Sequence, residues 1–309
     1  MIWLLTFILL FLLFILLLLG IQQKILFIPH DSIKWTPEDD NIDYEDIMIP
    51  VNDRFSQTYY YDGKAAKKNH INAWHIVFDE KNPTIMYNHG NVGNISMRDY
   101  LVRIGQLFHL NVFLYDYRGF GRSDGVAHAN TILEDGQAAY DYLVTKVDPK
   151  NIIVWGESLG GCVATYIASK NECRNLLLMS TFSSLEDAIK YQDYNKKLTK
   201  SLSYLTRQFL HDYSVKEWIK NVDCPIVIIH RKEDGLIPYE CAEILYDSAE
   251  NKCKKIMEIK GTHSAPKIEV NQLKGLFKFC KLSTKVCPNK EIKDLLHDLE
   301  NVADKHLTI

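Results

Sequence analysis

Hydrophobic and polar positions divide the chain into an unbroken apolar start, a mixed connector and a long alternation of apolar and amphipathic segments. Residues 1–20, MIWLLTFILLFLLFILLLLG, carry no charged side chain. About 20 apolar residues in a helix cross ~30 Å of hydrocarbon, so this stretch reads as a single transmembrane anchor. A cleaved secretory signal would need a basic start, a shorter apolar run and a small-residue cleavage site, and none is visible. Residues 21–43 mix prolines and acids with short apolar runs, as a linker does, and lead to a first strand expected near Tyr44–Val51.

Residues 58–61, TYYY, and 72–78, NAWHIVF, predict two further strands around a polar turn. From residue 84 the pattern becomes regular. TIMYNHG predicts a strand, MRDYLVRIGQLFHL a helix with Tyr100, Leu101, Ile104, Leu107 and Phe108 on one face, and NVFLYDYRG a strand. Thr131 with Glu134 has the spacing of a capping box and predicts a helix from there to about Lys146. The apolar run NIIVW leads into GESLGGCVA, and RNLLLMS, PIVIIH and KKIMEIKG follow as strands. Strands apolar throughout and separated by helices indicate a mostly parallel sheet covered on both faces, so the fold class is α/β. One domain is expected over residues 44–282, with residues 181–224, helical in pattern, as a small cap. In residues 283–309, Ile292, Leu295, Leu296, Leu299 and Val302 lie at helical spacing and predict an accessory packing helix.

Charge adds only an exclusion. The 36 basic and 39 acidic residues are spread along the chain without a basic stripe, which argues against a nucleic-acid partner. Seven cysteines, an odd number without a CxxC pair, read as reduced and mostly buried thiols. No Cys or His cluster has metal-ligand spacing, and no metal or cofactor is expected. Lys24 and Lys34 flank the apolar segment on its C-terminal side and favour a cytosolic domain. The sequon Asn94-Ile95-Ser96 permits the opposite, and the topology stays open.

The candidate chemistry centres on Ser158. It stands in Gly156-Glu157-Ser158-Leu159-Gly160, after an apolar strand and before small residues able to open a helix. In such an elbow, Gly156 and Gly160 let the backbone turn sharply and leave the serine hydroxyl exposed at the sheet edge. Asp234, in HRKEDGLIP, and His263, in KGTHSAP, each follow a predicted strand. A carboxylate there can orient the imidazole, which can take the serine proton. Glu233 is the rival acid, and the following Gly235 and Pro238 favour Asp234. Leu159 N–H and Asn91 N–H, the latter in the Gly90–Gly93 loop, are the expected oxyanion donors. His89 is expected to brace that loop, and Cys162 to lie in the core. GFGRSDG has Asp124 where a dinucleotide fingerprint needs its third glycine, which excludes that cofactor site.

The ordered string LFIPHD, YNHGNVGNIS, YDYRGFGRSDG, GESLGG, HRKEDGLIP and GTHS resembles the membrane-anchored α/β-hydrolase-domain serine hydrolases of the Bem-like branch, up to about residue 282. The resemblance implies an α/β-hydrolase fold, with Ser158 as nucleophile, His263 as base, Asp234 as acid, and Asn91 and Leu159 as oxyanion donors. His89, Gly90, Asp116 and Arg118 then fall in supporting motifs. It also implies hydrolysis of acyl esters or thioesters, including lipids or acylated proteins, without a cofactor, beside the membrane lipid that holds residues 1–20. Glu157 stands where a basic residue is frequent, Arg231 where glycine is usual, and Ser264 where asparagine often follows the histidine. A non-catalytic membrane-bound scaffold and a serine peptidase are the alternatives; an intact triad argues against the first, and the short cap against the second.

Overall fold

The computed structural model describes residues 27–51, 69–191, 213–263, 266–282 and 289–306. The first half holds strands β1 (Ile28–Pro29), β2 (Glu45–Val51), β3 (Asn69–Ile76), β4 (Thr84–Asn88) and β5 (Val92–Gly93), helix α1 (Asp99–Phe108) and strand β6 (Asn111–Tyr115). The chain continues through α2 (Ala129–Leu143), β7 (Ile152–Glu157), α3 (Leu159–Ala168), β8 (Asn175–Met179), α4 (Leu185–Tyr191) and α5 (Val215–Trp218). It ends with β9 (Ile226–Arg231), α6 (Glu240–Ser248), β10 (Lys254–Gly261), β11 (Pro266–Lys267), α7 (Val270–Phe279) and α8 (Asn289–His306).

Among the described residues, nine strands form one sheet in the order β11-β10-β9-β8-β7-β4-β6-β3-β2. The six strands from β10 to β6 are parallel, and antiparallel partners lie at the two edges. The reason is legible in β7. Successive side chains of a strand point to opposite faces, and this strand is apolar on both. Ile152 and Val154 join a buried cluster with Leu143 of α2 and Cys162 and Ile167 of α3. Ile153 and Trp155 join a second cluster with Leu101 and Phe108 of α1 and Phe277 of α7. Helices therefore cover both faces, and each fully buried Leu or Ile contributes ~1.5–3 kcal/mol relative to exposure. The edge strand β2 instead alternates, with Ile49 and Val51 buried and Met48 and Pro50 exposed.

The C-terminal helix forms as its spacing predicts, with Ile292 and Leu295 buried in the second cluster. The start of α2 differs from expectation. Its N-cap is His128, and Thr131 reaches back from the first turn, accepting a bond from His128 N at 2.8 Å. Thr131 is thus the third helical residue rather than the cap, so Glu134 lies within the helix, where its carboxylate accepts from Arg118 Nη2 at 3.0 Å. The predicted strand at 58–61, much of the predicted cap and the apolar segment 1–20 lie outside the described residues. Within the described residues, no helix is long and apolar enough to cross a membrane.

The chain leaves β4 for β6 on one side, while β7 pairs with β4 on the other. Such a divergence opens a crevice beyond the carboxyl ends of the strands, where ligands bind in open α/β sheets. Ser158 follows β7 at that edge.

Candidate active site

Ser158 joins the last residue of β7 to the first of α3, with φ 52° and ψ −118°. A left-handed φ in a non-glycine residue is strained, and here packing enforces it. A Cβ on Gly156 would stand 2.4 Å from Gly160 O, and one on Gly160 would stand 2.0 Å from Asn88 O. Only glycine lets the strand, the helix and the loop after β4 approach so closely. Ser158 N donates to Met179 O at 2.8 Å, which ties the elbow to β8.

His263 follows β10, and its Nε2 lies 3.1 Å from Ser158 Oγ. Its Nδ1 lies 2.8 Å from Asp234 Oδ2 and 3.1 Å from Oδ1. A carboxylate can only accept, so Nδ1 carries the proton and Nε2 is left as the acceptor facing the serine hydroxyl. Asp234 Oδ1 also accepts from Leu236 N and Ile237 N, each at 2.9 Å. Burial alone would raise the Asp234 pKa; bonds and charge from His263, with the two amides, outweigh it and bring it down to about 2. Its neighbour Glu233 is exposed, on the solvent side of the same turn.

The depressed pKa carries a stability consequence. Stabilisation from ionised Asp234 is present above the ordinary carboxylate range and is lost as pH falls through about 2. Asp234→Asn is therefore expected to cost about 2 kcal/mol near neutral pH, with the gap to wild type narrowing as the pH is lowered below ~4. Urea unfolding of both proteins from pH 7 to pH 3 measures it; a gap independent of pH would contradict the assignment.

The loop after β4 passes beside the serine, since a Cβ on Gly90 would stand 3.6 Å from Ser158 Cβ. His89 is fully buried, and burial, with Arg98, pushes its pKa down to about 3. The neutral ring places Nδ1 2.7 Å from Gly90 O, so this nitrogen donates. In a trans peptide the carbonyl and the next N–H point in opposite directions, so this bond turns Asn91 N–H away from His89. Tyr117 OH donates to His89 O at 3.0 Å, and Asn91 O accepts from Ile28 N at 2.9 Å. Leu159 opens α3, where a first-turn N–H has no intrahelical acceptor.

Asp116 accepts from Ile95 N at 2.9 Å, and burial raises its pKa to about 8. Its 3.4 Å approach to His89 Nε2 thus joins two neutral groups near pH 7. Arg118, also buried, bonds Asp135 Oδ1 at 2.6 Å and Thr131 O at 3.2 Å, fixing the strand-to-helix connection. Both residues act behind the site. Cys162 lies fully buried in the core.

Sequence reasoning missed the polar cluster around Glu157. Tyr87 OH donates to Glu157 Oε2, and Tyr100 OH lies 2.9 Å from Tyr87 OH. Arg98 borders both tyrosines; burial works against its charge, but Tyr87, Tyr100, Glu157 and Asp116 outweigh it and raise its pKa. Arg231, at the end of β9, donates from Nη1 to Ser180 Oγ at 2.5 Å and sits 3.7 Å from Asp234 Oδ2. The sequence marked Arg231 only as a departure from the usual glycine, two residues after the apolar run IVII.

Residues 83–213 match the family described as alpha/beta hydrolase fold. The chain is 31% identical over 251 residues to the alpha/beta hydrolase domain-containing protein WAV2 of Arabidopsis thaliana, covering 75% of this chain and 77% of that protein. It is 24% identical to the lysophosphatidylserine lipase ABHD12 of Danio rerio, covering 74% of this chain and 66% of that one. An esterase of Pyrococcus furiosus superposes with a TM-score of 0.62 at 19% identity, over 83% of this chain and 97% of the other, a likeness of fold. With the matching residues running from β4 past the Ser158 elbow, the chain belongs to the α/β-hydrolase fold family.

Proposed function

We propose that this hydrolase cleaves acyl ester or thioester bonds with Ser158 as nucleophile, through an acyl-enzyme. The observation that carries the reading is the continuous hydrogen-bonded path from Ser158 Oγ through His263 to Asp234 at a strained elbow. Ser158 Oγ attacks the acyl carbonyl as its proton passes to His263 Nε2, and Asp234 stabilises the imidazolium that forms. Asn91 N–H and Leu159 N–H receive the developing oxyanion. His263 returns the proton to the leaving oxygen or sulfur, then activates the water that releases the acid.

An acyl lipid or an acylated protein is the proposed substrate class. The lysophosphatidylserine lipase among the relatives supports it. So does the apolar segment 1–20, proposed as a bilayer anchor. Ile28 bonds to Asn91 O, so such an anchor would hold the oxyanion-loop side of the domain towards the lipid. Its two flanking lysines favour, in this reading, a cytosolic domain.

A panel of p-nitrophenyl esters and acyl thioesters of graded chain length tests the function. Turnover of esters or thioesters by the purified chain is expected, and failure to hydrolyse any of them would overturn the reading.

A further inference from the structure

Three of the thiols precede three neighbouring parallel strands, Cys173 before β8, Cys224 before β9 and Cys253 before β10. The parallel register brings them to one edge of the sheet, the edge where strands begin. Ser158 lies at the other edge, about 15 Å away along a strand of five residues. Within this group, Cys173 Sγ stands 3.2 Å from Cys224 Sγ, although 51 residues separate them in the chain.

The two sulfurs differ in surroundings. Cys173 is buried and Cys224 half-buried, and both border a surface depression with Ser169, Lys170, Asn171 and Asp223. We propose that Cys173 and Cys224 form a disulfide-forming modification site, with a hydroperoxide as oxidant and Cys224 as the thiol that meets it. The Cys224 thiol gives up its proton as its sulfur attacks the peroxide O–O bond, forming a sulfenic acid, and the other oxygen takes a proton and leaves as water or alcohol. Cys173 sulfur then attacks Cys224 sulfur, forming the S–S bond and breaking the S–O bond, and the departing hydroxide takes the Cys173 proton as water. Two thiols lose two electrons and one peroxide gains them. The hydrogen bond that Cys173 makes to Cys224, with its burial, holds its own pKa well above the usual range, which leaves it as the resolving partner. A disulfide needs the sulfurs at ~2.05 Å, so the pair has only about 1 Å to close.

The crosslink would close a loop that runs from the start of β8, through α4 and α5, to the start of β9. Constraint on a loop of this length restricts the unfolded chain, so the thermal midpoint is expected to rise by roughly 5 °C or more. Ester hydrolysis, at the opposite edge, is expected to stay within about twofold; the crosslink is mapped directly, a readout independent of the proposed function.

The test treats the full chain with hydrogen peroxide at a slight excess, alkylates free thiols, and maps peptides without reduction. The expected result is a Cys173–Cys224 peptide pair that dithiothreitol releases, with a raised midpoint that Cys224→Ala abolishes. Thiols that remain fully alkylated, a Cys224 sulfinic acid beside an alkylated Cys173, or a link from Cys224 to Cys253 would each overturn the proposal.

Discussion

Replacing Ser158 by alanine is expected to lower kcat for ester hydrolysis roughly 10⁴- to 10⁶-fold while leaving the fold intact. The loss is large because, in the proposed mechanism, one oxygen both attacks the carbonyl and forms the acyl bond. The proposed donors at Asn91 and Leu159 and the remaining binding contacts would sustain only a residual acceleration, about 10³–10⁴ over water in comparable sites. Stability should change by less than ~1 kcal/mol, since one hydroxyl is removed and the elbow glycines are untouched. His263→Ala should lose about as much, and the double variant little more, because the two groups act as one unit. Initial rates on a p-nitrophenyl ester, with urea unfolding as the control for folding, measure all three.

Gly160→Ala is expected to be the most damaging small substitution near the site. The added carbon would stand 2.0 Å from Asn88 O and 2.5 Å from both Asn88 C and His89 O. All three are backbone atoms, so no side chain can swing aside. Either α3 or the loop after β4 must move, at a cost of roughly 2–4 kcal/mol. That loop carries Asn91, and displacement of one oxyanion donor costs about 10²–10³ in kcat. Gly275→Ala, in α7, gives the contrast. Nothing lies within 4 Å of its added carbon, and alanine in a helix interior is favoured over glycine by ~0.5–1 kcal/mol, so this variant should be slightly more stable and fully active. Urea midpoints and ester kinetics of the two variants separate steric cost from the effect of adding a methyl group.

The parts of the architecture that could be read in advance are those encoded by local pattern. IIVW, LLLM and IVII are apolar on both faces, and a strand so composed must be covered twice, which is what the two core clusters show. The elbow was legible because its spacing of small residues is a steric requirement at adjacent positions. Contacts that depend on register across the sheet were not legible. Tyr87 reaches Glu157 because Asn88 pairs with Gly156 between β4 and β7, 68 residues apart, and no local period encodes that. Arg231 is the same case, since it bonds Ser180 only because β8 and β9 are neighbours. The two-residue pairing of Ile28–Pro29 with Val92–Gly93 is too short to carry any periodicity. The start of α2 was misread for a different reason: Thr131 closes a box with His128 instead of capping the helix itself.

Glu157 also sharpens the substrate question. It places a half-buried carboxylate one residue before the proposed nucleophile, held by Tyr87, with Arg98 and Arg231 as its cationic neighbours. These two cations balance the acidic group beside the site where, in the proposed mechanism, an oxyanion develops.

The central claim, that Ser158 is an activated nucleophile, is tested most directly by a fluorophosphonate, which phosphonylates an activated serine hydroxyl irreversibly. Intact-mass measurement and peptide mapping of the treated chain should find one phosphonyl adduct, on Ser158, absent from Ser158→Ala. An unmodified wild-type chain, or an adduct carried by any other residue, would contradict it.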